Sequence, residues 1–307
     1  MAADHPEDSA RPRLSVAIAS GQGWPYVEDL IATIRPDADA AGAEIVVTDG
    51  SANRVPSIAE VGPSVRWLKQ EGVSIFVLFA TALREARGEV VALTEDHTIP
   101  QPGWIEAILR AHDGHPEAAA IGGAIENGST YGLVEWASYF TTQGPHMAPL
   151  GDRAVPVTTN EANVSYKRWA LEQVPFDEGS GFMAILYNRR LAEAGYSLRV
   201  DDRVVVDHFE TDGFGWTTAI HFHNGRTISG FRRERGMSDE DWVRMATALM
   251  LPAWRTLRVL RTGLAKGRLR RQLLVSAPFA LWLEYVQALG HLTGYVAGPG
   301  GSPNHLR

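Results

Sequence analysis

The sequence predicts an α/β domain with a mostly parallel sheet and helical crossovers. Three observations carry that prediction. Short apolar runs rich in β-branched residues recur through the first two-thirds of the chain. Segments with helical spacing of apolar residues separate them. The early runs also end in polar clusters, and ligands of such sheets bind outside the carboxyl ends of the strands.

In chain order, Leu14 to Ala19 reads as the first buried strand. Gly21 to Pro25 is a loop, and Tyr26 to Ile34 has helical spacing. Glu44 to Thr48 is a second strand, closed by Asp49-Gly50-Ser51, and Val65 to Leu68 is a short third. Ser74 to Arg87 reads as a helix stopped by Gly88, the residue favoured just past a helix end. Glu89 to Thr94 is the fourth strand. The residues just past these strand ends are Ser20, Asp49 and Glu95-Asp96-His97, so three polar clusters are expected on one rim. Beyond Pro100, a helix is expected from Trp104 to Ala111 and a strand around Ala118 to Ile121, leading into Gly122-Gly123. Gly128 to Arg153 shows no period. Thr158 to Ala162 is read as a strand before a helix starting near Lys167. Met183 to Ala194 is a helix closed by Gly195, and Leu198 to Val206 is strand-like, with His208 after it.

The chain's 307 residues suffice for one large domain with an appendage. Residues 1–13 form a polar, acidic lead-in, expected to be disordered, without the basic start and apolar stretch of a secretory signal. Residues 14–235 form the α/β domain, and 236–307 a helical, basic C-terminal region. An apolar content of 45% with nine Trp supplies a sizeable core and excludes bulk disorder. With no Cys there is no disulfide framework and no thiolate metal site, which suits the cytoplasm. A net charge of −7 argues against a nucleic-acid partner.

Charge is uneven, however: Arg255 to Arg271 carries Arg and Lys but no acid. Leu273 to Leu283 is apolar, yet Pro278, Glu284 and His291 interrupt the longer run, and a spanning helix needs ~20 mostly apolar residues. Residues 242–298 are therefore expected to lie on an anionic membrane surface, as a peripheral attachment to the inner face of the cell membrane. The competing expectation is a helical hairpin packed on the α/β domain or on a second copy in a homodimer.

Six fragments carry a resemblance: Ser15 to Ile18; Ile45 to Ser51; Ala86 to Val91; Thr94 to Pro100 followed by Trp104; Asn163 with Tyr166 to Arg168; and Val206 to His208. In this order they resemble the family 2 inverting glycosyltransferases of GT-A fold, from about Ser15 to about Arg232. The resemblance implies a Rossmann-like mixed sheet flanked by helices, here with a C-terminal helical appendage. It implies a nucleotide-diphosphate sugar donor, a saccharide or lipid-linked acceptor, and a divalent cation, Mn²⁺ or Mg²⁺. By the same resemblance Asp49 would hydrogen-bond the base of the nucleotide, and Ser20 would touch base or ribose. Glu95 and Asp96 would face the ribose or cation, and His208 would approach the cation or diphosphate. His97 stands where the family usually has Asp and would be a nitrogen ligand, a donor set that suits Mn²⁺ better than Mg²⁺. On bland readings the turn at Glu95 is a helix N-cap, Asp49 an Asp-Gly turn, and His208 structural.

Arg232 and Arg233 are further phosphate candidates. His221 and His223 have the spacing of a zinc pair, but no third ligand stands out. Gly21 to Pro25 lacks the basic residue of a nucleotidyltransferase phosphate loop.

The pattern departs from the family in two places. Phe79 stands where related sequences tend to be basic. More seriously, the family's general base is a carboxylate expected around Phe182 to Ala184, and Gly179 to Ala184 holds none. Asp177 and Glu178 are the nearest carboxylates and the candidate bases. Loss of the base alone would leave a nucleotide-sugar-binding scaffold subunit, the alternative function.

Overall fold

The computed structural model describes residues 11–176, 181–209 and 213–306. Residues 1–10 of the acidic lead-in, and the pair Asp177 and Glu178, lie outside them. The strands and helices follow as β1 (Leu14–Ser20), α1 (Glu28–Ala41), β2 (Glu44–Asp49), α2 (Ile58–Val61), β3 (Val65–Lys69), α3 (Ile75–Glu85), β4 (Val90–Glu95), β5 (Thr98–Pro100), α4 (Trp104–Gly114) and β6 (Ala118–Asn127). Then come α5 (Leu133–Thr142), β7 (Asp152–Ala154), β8 (Val164–Lys167), α6 (Arg168–Gln173), α7 (Ala184–Glu193), β9 (Ser197–His208), α8 (Gly213–Glu234), α9 (Asp239–Thr247), α10 (Leu251–Ala265) and α11 (Arg270–Ala297).

Among the described residues one sheet runs β3-β2-β1-β4-β8-β6-β9-β5, with β7 on β9. The first four strands are parallel, and β8 is antiparallel to both β4 and β6. The α/β expectation and the mixed sheet both hold. Every residue of β1 is buried, because alternate side chains enter different layers. Val16 and Ile18 pack with Ile31 and Ile34 of α1 and Ile108 of α4. Ala17 and Ala19 pack with Leu78 and Phe79 of α3, and the same layer takes in Tyr187 and Leu191 of α7. Phe79, the residue where a basic side chain was expected, is thus core.

Several elements differ from the sequence expectation, each for a tertiary reason. Helix α1 continues through Pro36, because Ala38 extends the buried stripe of Leu30, Ile31 and Ile34. The strand expected at Thr158 to Ala162 lies instead at β8. The preceding segment is a loop whose hydroxyls are used locally, Thr158 Oγ1 donating to Arg199 O at 2.7 Å. The stretch without period contains α5, whose Trp136, Tyr139 and Phe140 pack with Leu273 of α11.

Helix α8, also unanticipated, lies backbone to backbone against α11. A Cβ built on Gly290 would sit 2.1 Å from Phe222 O, and one on Gly294 2.4 Å from Arg226 O. By length and composition alone α11 could cross a membrane. Here its inner face packs on α5 through Ala280 and Leu283, and its buried Glu284 lies 3.6 Å from Arg255 of α10.

Candidate functional site

The carboxyl ends of β1, β2 and β4 share one rim, where Ser20 is paired with Asp49 across the sheet and Ala19 with Glu95. Past β4 the chain turns sharply, Thr98 Oγ1 donating to Glu95 O at 2.8 Å. The next three residues form β5, which pairs with the far end of β9 in a register that sets Thr98 opposite His208. The backbone N–H of Phe209 then donates to His97 O at 2.9 Å. This pairing delivers His208 to the turn from more than a hundred residues away.

Three ligand-type atoms meet there. His97 Nε2 lies 3.1 Å from His208 Nε2 and 3.3 Å from Glu95 Oε2, and His208 Nε2 lies 3.2 Å from Glu95 Oε2. Neighbouring ligands around a divalent ion with bonds of about 2.1 Å are separated by roughly 3.0–3.5 Å, so the spacing fits one ion bound to all three. Two imidazoles and one carboxylate on one side leave other coordination positions to a substrate. Among the described residues this is the one group of three such side chains within ligand distance.

Asp96 stands behind the triangle. Its Oδ1 is 2.9 Å from His97 Nδ1, and its Oδ2 accepts the Ser20 hydroxyl at 2.7 Å. Ser20 Oγ in turn accepts Gly23 N–H at 2.7 Å. A carboxylate on Nδ1 fixes the ring and aims Nε2 at Glu95 and His208. Ser20 and Asp96, for which sequence suggested direct ligand contacts, thus bond His97 and the first loop.

Burial works against a charged His97, but hydrogen bonds to Asp96 and Glu95 hold its ring well above the usual imidazole range. Burial would also raise Glu95, yet hydrogen bonds to His208 and His97 hold it well below the usual carboxylate range. A divalent cation at this point would replace a proton as the positive partner of Glu95.

Asp49 is fully buried. Its Oδ1 accepts Ser51 N–H at 2.8 Å, and its Oδ2 accepts Trp67 Nε1 at 3.1 Å and Lys69 Nζ at 3.0 Å. The carboxylate therefore already fixes an indole and an ammonium at the rim. Gly23, with φ of +63°, closes over it, since a Cβ there would lie 2.6 Å from Asp49 Oδ1.

Other sequence candidates point elsewhere. On α8, His221 meets Ser138 Oγ at 3.2 Å, while His223 meets Ser302 Oγ at 3.0 Å and stacks on His305. Arg232 and Arg233 both donate to Tyr295 of α11.

Sequence reasoning missed Glu161. It is nine-tenths buried, and a carboxylate oxygen accepts Ala184 N–H at the start of α7. Burial, with the charge of Glu95 added, pushes its carboxyl up to about 7. Its loop is held on three sides. Thr94 Oγ1 donates to Ala162 O at 3.1 Å, Asn160 Nδ2 to Gln143 Oε1 at 2.9 Å, and Asn188 Nδ2 to Thr159 O at 2.8 Å. The signal available in the sequence was a charged residue two positions before Asn163, within the stretch read as a strand.

The sequence model of Glycosyl transferase family 2 matches residues 15–180. Among solved structures the chain is similar to a mannosyltransferase of Pyrobaculum calidifontis in complex with GDP-Man and Mn²⁺, with a TM-score of 0.60 and 19% identity over 95% of this chain and 89% of that one. It is also similar to a mycobacterial protein, with a TM-score of 0.52 and 15% identity over 75% of this chain and 77% of that one. At these identities the likenesses speak to the fold. No curated protein matches the chain.

Proposed function

The chain belongs to glycosyl transferase family 2, and from that premise we propose that it moves a sugar, with inversion, from a nucleotide-diphosphate donor to a saccharide or lipid-linked acceptor, using a divalent cation. The observation that carries this is the 3.1–3.3 Å triangle of Glu95, His97 and His208 at the carboxyl rim of the sheet. These three side chains would hold the cation, Mn²⁺ by their nitrogen-rich donor set. When bound, the cation supplies charge against the diphosphate as it departs. Asp96 orients His97. Asp49, through Trp67 and Lys69, shapes the pocket for base and ribose. The Pyrobaculum calidifontis enzyme, bound to GDP-Man and Mn²⁺, supports both the donor class and the cation.

Titration calorimetry of the full chain with GDP and UDP, each with and without Mn²⁺, tests this proposal. Cation-dependent binding of at least one is the expected result, and no binding of either under any condition removes the proposal. The second function, a non-catalytic nucleotide-sugar subunit, draws on the absence of a carboxylate from the described residues Gly181 to Ala184. Donor hydrolysis separates the two.

We further propose that α9–α11 rest on an anionic membrane surface, at the inner face of the cell membrane. Trp254, Leu257 and Trp282 are exposed on these helices, and the stretch from Arg255 to Arg271 carries only positive charge. The full chain is expected to float with vesicles containing phosphatidylglycerol and to stay behind with pure phosphatidylcholine. Trp254→Ser with Leu257→Ser should lose flotation. Flotation unchanged by both substitutions, or a stable homodimer dissolved by them, would show that another surface binds lipid or that this face covers a second copy.

A further inference from the structure

The segment in which the family's carboxylate is expected has become core. Phe182 is 1% exposed, and its ring packs on Tyr166, Phe176 and Tyr187. Gly181, with φ of +79°, lets this segment press on α3, where a Cβ would come within 2.7 Å of the Phe76 backbone. Phe182 N–H donates to Phe76 O at 2.8 Å, which fixes the approach. A carboxylate has nonetheless arrived at this place from another strand connection. The N–H of Ala184, the last residue of the expected segment, is bonded by Glu161.

Resting on the glycosyl-transfer reading, the geometry points to Glu161 as the general base of this enzyme, a carboxylate supplied by the loop before β8 in place of one from the start of α7. Three features place it for the task. It sits at the amino end of the ten-residue helix α7, where helix dipole and N–H favour an anion. Its loop is tied to the cation turn, since Ala162 O is bonded by Thr94, the neighbour of Glu95. The hydrogen bonds of Asn160 and Asn188 hold it there without help from substrate.

In the step assigned to it, the acceptor oxygen bonds to the anomeric carbon. The bond from that carbon to the diphosphate oxygen breaks, and its electron pair leaves with the nucleoside diphosphate. The acceptor's hydroxyl proton passes to the Glu161 carboxylate and from there to solvent.

The test uses the full chain with Mn²⁺ and a panel of GDP- and UDP-sugars, with water as acceptor and released nucleoside diphosphate as readout. Glu161→Gln keeps an oxygen for Ala184 N–H. It is expected to lower kcat by roughly 10²–10⁴-fold while nucleoside diphosphate affinity stays within about twofold. Azide, a nucleophile with no proton to surrender, should form glycosyl azide at nearly the same rate with the variant and the native chain. That second readout separates a base from a helix cap, whose loss would slow both reactions alike. Equal losses with water and azide overturn the assignment. So does normal hydrolysis by Glu161→Gln while Asp177→Asn or Glu178→Gln is slow. If the native chain binds GDP or UDP but hydrolyses none of the donors, the base assignment falls and the non-catalytic reading stands. If it binds neither, the glycosyl-transfer reading falls first.

Discussion

His97→Ala is expected to abolish Mn²⁺-stimulated binding of the nucleoside diphosphate, with affinity in the presence of the cation falling by about 10²-fold or more. The substitution removes one corner of the triangle formed with Glu95 and His208. It also strands Asp96, whose Oδ1 then faces no ring nitrogen. Asp96→Asn leaves all three corners in place and loses only the orienting charge, so a smaller loss of about 10-fold is expected. The ranking is therefore diagnostic. Were Asp96 itself a ligand and His97 a bystander, Asp96→Asn would be the worse variant. Calorimetry in two buffers of different ionisation heat adds a sign. The cation-free His97 ring is held protonated above its usual range. Binding Mn²⁺ should therefore release a proton, and affinity should weaken as pH falls. Cation binding with no proton release would place the ion elsewhere.

Asn163→Ala should be the most damaging single change to the fold, by about 3–6 kcal/mol. The side chain is fully enclosed and uses both ends. Its Nδ2 donates to Ala124 O at 2.8 Å and to Val204 O at 3.0 Å, and its Oδ1 accepts Trp104 Nε1 at 3.0 Å. One residue beside β8 thus ties β6, β9 and α4 together. Alanine leaves two carbonyls and an indole N–H buried without partners, each worth about 1–3 kcal/mol. Asn163→Asp preserves the acceptor for Trp104 but turns a second carboxylate oxygen toward two carbonyls, so it should be no better tolerated. Equilibrium urea unfolding of the full chain measures both. A loss below about 1 kcal/mol for Asn163→Ala would mean that water or a shifted side chain takes over the three bonds.

What was legible in the sequence follows from where the burying partner sits. Strands β1, β2 and β4 were placed to within a residue or so, because burial on both faces leaves an unbroken apolar run that local composition displays. Ser20, Asp49 and Glu95 to His97 could be set on one rim from topology alone. The convergence of His208 on His97 could be anticipated only through the family resemblance, since it depends on three residues of β5 pairing with the end of β9. Helices α5 and α8 were missed because the faces they bury are set by α11, far along the chain, and not by a polar outer face. Glu161 was missed for a similar reason. Nothing near it in sequence reveals that it is buried or that α7 donates to it.

The glycine crossing of α8 and α11 has a practical consequence for anyone building chimeras of this enzyme. Gly290 and Gly294 place the α11 backbone against Phe222 and Arg226, with no room for side chains between. Helix α8 is also the next described element after β9, whose last residue is His208. A splice at residue 236, where composition changes, would therefore leave α8 facing a foreign helix too bulky to seat it. Exchange of the C-terminal region between relatives should instead cut before Gly213, carrying α8 and α11 as one cassette.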